Sequence, residues 1–322
     1  MVSDSPVIAF DRSEAQGRLE LADRDRLDLL HRMSTNDINR LQPGQGCSTV
    51  LTTALARIID RVIVYHRGET ALLIANQAAT VRDWLQRHIF WQDRVRLRDV
   101  SSELGQLELH GPDAGAILTP LAADAKHLPL HHFTPILDGA GLIARAIPLI
   151  GGAHGEGYLI LTPVAALPGV RDMILEGGAK AGDAALYEHL RIEAGLPGPG
   201  HELTEEYIPL EAGLWDSVSF SKGCYIGQEI IARMESRNRL AKTLVALRMP
   251  SGAVPGARLI DSEGGTIGAL TSVAVTADGS YAAIGFVKPE YAEVGTRLTV
   301  AQDEGQPTIS AEVIAAPRRV DT

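Results

Sequence analysis

Short runs of alternating apolar and polar residues dominate the last part of the chain. Ser-Gly, Glu-Gly-Gly, Asp-Gly and Pro-Glu turns separate these runs at regular spacing, which is typical of consecutive antiparallel strands. The predicted strands cover residues 244–248, 258–261, 265–275, 281–287, 297–300 and 309–315. We therefore expect a small β-barrel domain over residues 240–322, with its boundary near Arg239.

The first 239 residues alternate between two hydrophobic periods. Runs rich in β-branched residues predict strands, whereas apolar residues three and four apart predict helices. The predicted strands cover 18–21, 50–53, 57–66, 71–75, 94–98, 106–110 and 157–162, and the predicted helices cover 23–33, 77–90, 163–177 and 183–194, with another from about Pro112. Asp23 is a candidate N-cap for the first helix. The pattern indicates a multidomain α+β fold whose body, residues 1–239, contains two intertwined subdomains, the second over about 48–136.

A polar stretch separates the body from the predicted barrel. Val218 and Phe220 alternate with polar neighbours, which predicts a strand. Two glycines then allow a tight turn into a short helix over 228–234, on which Glu229 and Arg233 are one turn apart. The stretch is therefore predicted to run from a strand, through a glycine turn, into a helix.

Cys224 lies in this turn, two residues after Lys222 and four before Gln228. Unpaired helix amides and an ammonium group both create a positive potential, which lowers the pKa of a thiol. We therefore interpret Cys224 as a reactive thiol that Lys222 activates. The alternative interpretation is a small buried cysteine in a turn that needs glycine only for its shape.

The charge balance argues against nucleic-acid binding. Thirty Lys and Arg face forty Asp and Glu, which gives a net charge of -10. Binding to phosphate backbones needs dense basic patches, so no direct nucleic-acid partner is expected. The weak basic patches are Arg233, Arg237, Arg239 and Lys242, interpreted as a solvated helix end, and the Arg318-Arg319 tail.

No apolar run reaches membrane-spanning length and the N-terminus lacks a targeting pattern, so we expect a cytoplasmic protein with no membrane partner.

The metal-binding residue types are sparse and badly spaced. Cys47 and Cys224 are the two cysteines, with no Cys-x-x-Cys pair, whereas an iron–sulfur cluster usually takes four thiolates. His127, His131 and His132 lie among prolines, without helical spacing or a nearby cysteine. The sequence therefore predicts no metal site, and any link to iron–sulfur chemistry would be that of a helper protein.

The run from Lys222 to Glu229, Lys-Gly-Cys-Tyr-x-Gly-Gln-Glu, followed by Arg233, resembles the signature of the YgfZ-type folate-binding group. That group is a branch of the glycine-cleavage T-protein, or aminomethyltransferase, superfamily. The resemblance implies an aminomethyltransferase-like α+β body, a C-terminal β-barrel and a bound tetrahydrofolate. It also implies functional roles for Cys224, Lys222 and Gln228.

Two further blocks extend the resemblance. Residues 190–203 and 207–214 resemble the Arg-x-Glu-Ala-Gly and Pro-x-Glu-Ala-Gly-Leu segments of the superfamily. A buried carboxylate can accept both the amino group and the ring N–H of a pterin, and the resemblance gives this role to Glu193, with Arg191 beside it. A plain ion pair is the alternative for both residues.

The Thr-Asn-Asp block of the superfamily follows the first helix near the folate channel, and this chain has Asn36 and Asp37 there. Both are therefore candidate folate-binding residues, as is Tyr65. A polar stop to the helix explains Asn36 and Asp37 equally well.

Arg61 departs from the superfamily pattern. T-protein aminomethyltransferases carry Asp-Asp where this chain has Asp60-Arg61, and a guanidinium cannot accept a proton. The resemblance therefore implies a tetrahydrofolate-binding factor that supports iron–sulfur cluster assembly or repair in client enzymes, including tRNA-modifying ones. The alternative is a folate-dependent aminomethyltransferase, methyltransferase or demethylase.

Overall fold

The computed structural model describes residues 6–152, 155–237, 239–301 and 308–316, and these residues form two compact units. Unit 1 takes its described residues from Met1–Leu51, Asp60–Tyr187 and Ser221–Ile226, and unit 2 from Thr52–Ile59, Glu188–Phe220 and Gly227–Thr322. The Arg318-Arg319 tail noted in the sequence lies outside the described residues.

Strands outnumber helices within the described ranges. The strands are β1 (Ile8–Asp11), β2 (Gly17–Ala22), β3 (Gly46–Thr52), β4 (Ile58–His66), β5 (Thr70–Ala75), β6 (Arg96–Asp99), β7 (Leu104–Gly111), β8 (Phe133–Ile136), β9 (Gly141–Ala146), β10 (Glu156–Pro163), β11 (Lys180–Gly182), β12 (Thr243–Met249), β13 (Arg258–Ile260), β14 (Thr266–Val275), β15 (Tyr281–Val287), β16 (Arg297–Val300) and β17 (Ile309–Ala315). The α-helices are α1 (Arg26–Met33), α2 (Ala78–Arg87), α3 (Ala114–Ile117), α4 (Leu167–Glu176), α5 (Ala184–Glu193) and α6 (Gln228–Arg237).

Unit 1 is built on two sheets. The first has six strands in the order β11-β1-β7-β10-β9-β8, in which β1 and β11 are parallel and the other neighbours antiparallel. Leu107 and Leu109 of β7 share one apolar core with Ala114 of α3 and Ile174 of α4. These leucines alternate with polar residues along β7, so the opposite face of the strand is polar.

The second sheet of unit 1 has five strands in the order β3-β4-β5-β2-β6. Its residues Tyr65 and Leu72 share a core with Leu142 and Leu159 of the first sheet. The ring of Tyr65 also packs edge-on against Phe133, with 5.7 Å between ring centroids. The two sheets of unit 1 are therefore joined through an apolar core.

The C-terminal strands of unit 2 form a closed barrel in the order β12-β15-β14-β13-β16-β17. Every neighbouring pair is antiparallel, and inward-facing residues such as Val245, Leu259 and Val313 fill the interior. Tyr207 stacks on Phe286 of β15, with ring centroids 3.6 Å apart, so the segment before the barrel packs on its wall. The predicted β-barrel and α+β fold are confirmed.

Two local predictions are wrong. Val218 has extended dihedral angles but pairs with no strand of the described chain, and Phe220 is exposed, so a loop replaces the predicted strand. Asp23 has a φ of 75° and does not cap α1, whose N-cap position is held by Asp25. In both cases the local pattern was suitable, but the backbone pairing or dihedral angle that the element needs is absent. The helix predicted from about Pro112 is confirmed as α3, a single turn that begins at Ala114.

Strand β1 was not predicted, because a four-residue run gives too little alternation to detect. It is nevertheless central, since it pairs with β7 on one side and β11 on the other. Among the described residues, no helix is both long enough and apolar enough to cross a membrane.

Candidate functional site

The polar face of β7 is the centre of a buried polar cluster in unit 1. Gln106, Glu108 and His110 alternate with the core leucines and therefore point to one side of the sheet. Further polar side chains reach the same region from the residue that follows β1, from β4 and from α5. We define the polar cluster as Arg12, Arg61, Gln106, Glu108, His110 and Tyr187.

Glu108 is the best-connected residue of the polar cluster. Its carboxylate accepts hydrogen bonds from Nε2 of His110 and the hydroxyl of Tyr187, both at 3.1 Å, and Nε of Arg12 lies 4.0 Å away. Burial acts to raise the pKa of Glu108, but the hydrogen bond and charge of His110, the charge of Arg12 and the Tyr187 hydroxyl outweigh it. The pKa of Glu108 is therefore lowered, and the group is a carboxylate at neutral pH.

Tyr187 and Arg12 pack face to face beside this carboxylate. The guanidinium carbon of Arg12 lies 3.7 Å from the centroid of the Tyr187 ring, a cation–π contact. Burial and then the charge of Glu108 raise the pKa of Tyr187. Tyr187 therefore remains a neutral hydrogen-bond donor to Glu108.

A chain of amide side chains connects Glu108 to Asp60. Nε2 of Gln106 donates to Oε1 of Glu108 at 3.2 Å and to Oε1 of Gln16 at 2.6 Å. Nε2 of Gln16 then donates to Oδ1 of Asn76, and Nδ2 of Asn76 donates to Oδ1 of Asp60. Because each link is a directional hydrogen bond, the chain fixes the two carboxylates on the two sheets of unit 1.

Arg61 is a cation of the polar cluster, like Arg12, whose buried Nε has no hydrogen-bond partner among the described residues. It is half-buried on β4, and no described residue accepts a hydrogen bond from its guanidinium. Burial lowers its pKa, while Tyr187, Asp60 and Glu108 act in the opposite direction. All five N–H donors of Arg61 are therefore available to water or to a ligand.

Tyr65 and His131 add two buried polar groups without protein partners. Within the described chain, neither the hydroxyl of Tyr65 nor Nδ1 of His131 has a hydrogen-bond partner, although both atoms are buried. Burial, the charge of Arg61 and then His132 lower the pKa of His131 to about 4, so it is neutral at physiological pH. Burial raises the pKa of Tyr65, which keeps its hydroxyl protonated.

Lys222 is buried and bound to the Thr-Asn-Asp block. Its Nζ donates to the carbonyl oxygens of His31, of Ser34 at 2.7 Å and of Asn36 at 2.8 Å. Burial lowers its pKa to about 8, while the charges of Asp37 and Cys47 act to raise it. The structure thus brings Lys222 and Asn36 into direct contact.

Asp37 and Asn36 both make contacts within unit 1. Oδ1 of Asp37 lies 3.2 Å from Nδ1 of His31, and its Oδ2 lies 2.9 Å from Nε of Arg40. Nδ2 of Asn36 donates to the carbonyl of Ser48 at 2.8 Å. These contacts fit the polar helix stop, and a folate-binding role for either residue stays a prediction.

The two cysteines have different environments. Cys224 is exposed on the loop before α6, whereas Cys47 is half-buried on β3, and both are free thiols. Burial raises the pKa of Cys47 to about 12, with Lys222 opposing and Asp37 adding to the shift. Because Nζ of Lys222 donates to three carbonyls, the geometry supports an anchoring role for it, and the activation of Cys224 stays a prediction.

Arg191 is the centre of a separate buried network in unit 2. Its five N–H groups donate to Glu188, Glu202, the carbonyl of Leu196 and Ser272, so none is left for a ligand. These contacts fit the ion-pair alternative, and a folate-binding role for Arg191 stays a prediction.

Glu193 is at the C-terminal end of α5. Its Oε1 lies 3.4 Å from Nε2 of His189, one turn earlier, and the carboxylate is partly exposed. Gln228 is the first residue of α6. The structure does not test the predicted pterin contacts of Glu193 and Gln228.

Sequence reasoning missed the polar cluster. The available signal was the Gln-x-Glu-x-His alternation at residues 106–110, three polar residues on one face of a strand that is otherwise apolar. The described residues contain no group of three or more His, Cys, Asp or Glu that could hold a metal ion.

Comparison with known proteins identifies the family. The profile of the GCVT N-terminal domain matches residues 4–222. A chloroplastic protein of Arabidopsis thaliana, At1g60990, which carries the provisional name of a transferase, is 32% identical over 93% of this chain and 69% of its own length. An aminomethyltransferase of Desulfitobacterium hafniense is 31% identical over 90% of this chain and 81% of its own length.

The fold also matches a solved structure. The glycine cleavage system aminomethyltransferase T from Bartonella henselae superposes with a TM-score of 0.82, covering 97% of this chain and 86% of that chain at 22% identity. At this identity the match concerns the fold. The family profile covers more than half of the sequence, and the chain therefore belongs to the GCVT N-terminal domain family.

Proposed function

We propose that this chain is a YgfZ-type protein that binds tetrahydrofolate and supports iron–sulfur cluster assembly or repair in client enzymes, including tRNA-modifying ones. The observation that carries the proposal is the placement of Cys224. This thiol is exposed on a loop, and the buried side chain of Lys222, two residues earlier, anchors that loop to the carbonyls of Ser34 and Asn36. An exposed thiol on an anchored loop is suited to contact a cluster or a client protein.

Family membership supports tetrahydrofolate as the ligand, since relatives at about 30% identity are named aminomethyltransferases. In the proposed complex, Glu193 accepts the amino group and ring N–H of the pterin. One of its oxygens faces His189, and a carboxylate retains further lone pairs for such a forked pair. Tyr65, Asn36, Asp37 and Gln228 are proposed to line the pocket, and Arg191 to hold the end of α5 in place.

Arg61 argues against aminomethyl transfer by this chain. A base acting on a folate nitrogen must accept a proton, and the Arg61 guanidinium cannot. Glu108 is a carboxylate nearby, but it already accepts hydrogen bonds from His110, Tyr187 and Gln106. These observations favour a folate-dependent maturation factor over an enzyme of the aminomethyltransferase type.

The test is complementation of a strain that lacks this protein. We expect Cys224→Ala to keep the thermal unfolding midpoint but to lose most of its support of iron–sulfur enzyme activity, because an exposed side chain contributes little to packing. Cys47→Ala, which removes the half-buried thiol, is the matched control and should retain that support. Full rescue by Cys224→Ala would overturn the proposed role of the thiol.

The second candidate is a folate-dependent aminomethyltransferase, and the names of the relatives favour it. Release of methylene-tetrahydrofolate from an aminomethyl-lipoyl carrier protein distinguishes the two functions. The maturation factor predicts no turnover above background, whereas turnover at enzymatic rates would establish the alternative.

A further inference from the structure

We propose that Arg61, Tyr65 and His131 form a binding subsite for a single carboxylate group in unit 1. The subsite extends the proposed function, because it assigns a class of ligand to Arg61 of the polar cluster and to the two buried groups described with it. It rests on tetrahydrofolate binding only for one of the two sources of that carboxylate considered below.

The first reason is the free guanidinium of Arg61. A half-buried arginine in a protein normally donates to carboxylates or carbonyls, as the five donors of Arg191 do here. Arg61 has no such acceptor within the described residues, although Glu108, Asp60 and Tyr187 are near enough to act on its pKa. The N–H groups of its guanidinium can therefore donate hydrogen bonds to an acceptor from outside the chain.

The second reason is the pair of buried groups without partners. Tyr65 is 0% exposed and His131 is 8% exposed, yet the Tyr65 hydroxyl and Nδ1 of His131 have no partner among described residues. Leaving a buried polar atom unpaired costs about 1–3 kcal/mol, which a ligand with suitable oxygens would recover. Arg61 and Tyr65 are four residues apart on β4, so both point to the same face of the strand.

Gly46 of β3 packs closely against Tyr65 and the backbone of His131. A Cβ atom at Gly46 would lie 2.6 Å from Cδ1 of Tyr65, 2.6 Å from the carbonyl oxygen of Val64 and 2.8 Å from the carbonyl oxygen of His131. A side chain at this position would therefore displace the Tyr65 ring or the backbone beside it. Arg61 is also the largest charge acting on His131, which places the guanidinium within electrostatic range of the ring.

The charges of the region select a carboxylate over other ligands. Glu108 already accepts a hydrogen bond from His110 and has the guanidinium of Arg12 4.0 Å away, whereas the Arg61 guanidinium forms no ion pair with a described carboxylate. His131 is neutral and adds no second positive charge, so a singly charged anion matches the subsite better than a dianion such as sulfate. The planar guanidinium fits the two oxygens of a carboxylate, and the Tyr65 hydroxyl supplies a further donor.

The carboxylate has two chemical sources. One is a small free carboxylic acid, and the other is the glutamyl tail of a folate. The two sources share the recognition chemistry, and the experiment separates them by using acetate in one arm and folate compounds in the other.

The experiment uses the full chain and the variants Arg61→Gln, Tyr65→Phe and Arg82→Gln. Arg82 is a partly exposed arginine that pairs with Asp83 and serves as the matched control. Acetate and sulfate binding are measured by ligand-observed NMR at constant ionic strength. Binding of tetrahydrofolate and of a tetrahydropterin without the glutamyl tail is measured by calorimetry.

We expect Arg61→Gln to weaken carboxylate binding by about tenfold or more and Tyr65→Phe by about threefold, with Arg82→Gln unchanged. If Arg61→Gln loses acetate binding alone, the ligand is a free acid. If it loses affinity for tetrahydrofolate but not for tetrahydropterin, the ligand is the glutamyl tail.

If neither variant changes the binding of acetate or tetrahydrofolate, or if sulfate binds as tightly as acetate, the subsite proposal is wrong. Tyr65→Phe keeps the test decisive if Arg61→Gln fails to fold. Arg61-dependent acetate binding in a chain that binds no folate would refute the proposed function but support the subsite.

Discussion

Lys222 acts at the residue scale as a buried clamp. One ammonium group satisfies the carbonyls of His31, Ser34 and Asn36, which belong to α1 and the turn that follows it. A backbone carbonyl buried without a donor costs free energy, so the conformation of this turn depends on a lysine that is distant in sequence.

Replacing Lys222 with Met tests the clamp. The methionine keeps most of the apolar stem but leaves three carbonyls without their donor, and we expect the free energy of unfolding to fall by about 2–4 kcal/mol. Lys180→Met, at an exposed position of unit 1, should change it by less than about 0.5 kcal/mol. Equal effects of the two substitutions in chemical denaturation would contradict the clamp.

His131 predicts a pH dependence of stability. Its pKa is lowered from 6.5 to about 4 in the folded state, so between these values the unfolded state binds more protons than the folded state. The contribution of His131 to stability is therefore complete above pH 6.5 and is lost as the pH falls towards 4, at a total cost of up to about 3 kcal/mol.

The matched variants for this prediction are His131→Asn and His127→Asn. Asparagine tolerates the positive φ of 60° at position 131, whereas His127 is exposed. Between pH 7 and pH 4, denaturation curves should show a smaller loss of stability for His131→Asn than for the wild type. His127→Asn should lose as much stability as the wild type over the same range. Parallel pH profiles for wild type and both variants would show that His131 is not the responsible group.

At the scale of elements, the network around Arg191 connects α5 to the barrel. Arg191 donates to Glu202 and to Ser272 of β14, and the carboxylate of Glu202 accepts from Ser272, from Thr271 and from the backbone of Gly198. Glu202 is fully buried, so these donors are its contacts in place of water. The network therefore determines where the end of α5, with Glu193, lies on unit 2.

Arg191→Met should destabilise the chain by about 3–5 kcal/mol, because it leaves the buried carboxylate of Glu202 without its cation. Arg233→Met is the control, since Arg233 forms an exposed pair with Glu229 one turn away and should contribute less than about 0.5 kcal/mol. Urea denaturation measures both. A loss below about 1 kcal/mol for Arg191→Met would contradict the role given to this network.

The elements also show how far local pattern predicts this structure. The barrel strands were predictable because alternation and turn dipeptides are local signals, and β15, β16 and β17 begin and end where the pattern places them. The polar cluster was not, because it depends on which faces of β4 and β7 meet across two sheets. The same limit applies to Lys222, whose acceptors lie 186–191 residues away in sequence.

At the scale of the whole molecule, the candidate folate residues are divided between the two compact units. Asn36, Asp37 and Tyr65 belong to unit 1, whereas Glu193 and Gln228 belong to unit 2. The signature stretch is divided as well, since Ser221–Ile226 belongs to unit 1 and α6 to unit 2.

The proposed folate site is tested most directly by calorimetric titration of tetrahydrofolate into the wild type, Glu193→Ala and Glu229→Ala. Glu229 is an exposed glutamate of unit 2 and serves as the control. We expect saturable binding by the wild type and Glu229→Ala, and a loss of about tenfold or more in affinity for Glu193→Ala at an unchanged unfolding midpoint. Absence of binding to the wild type would contradict the proposed function, and equal affinity in all three proteins would remove Glu193 from the site.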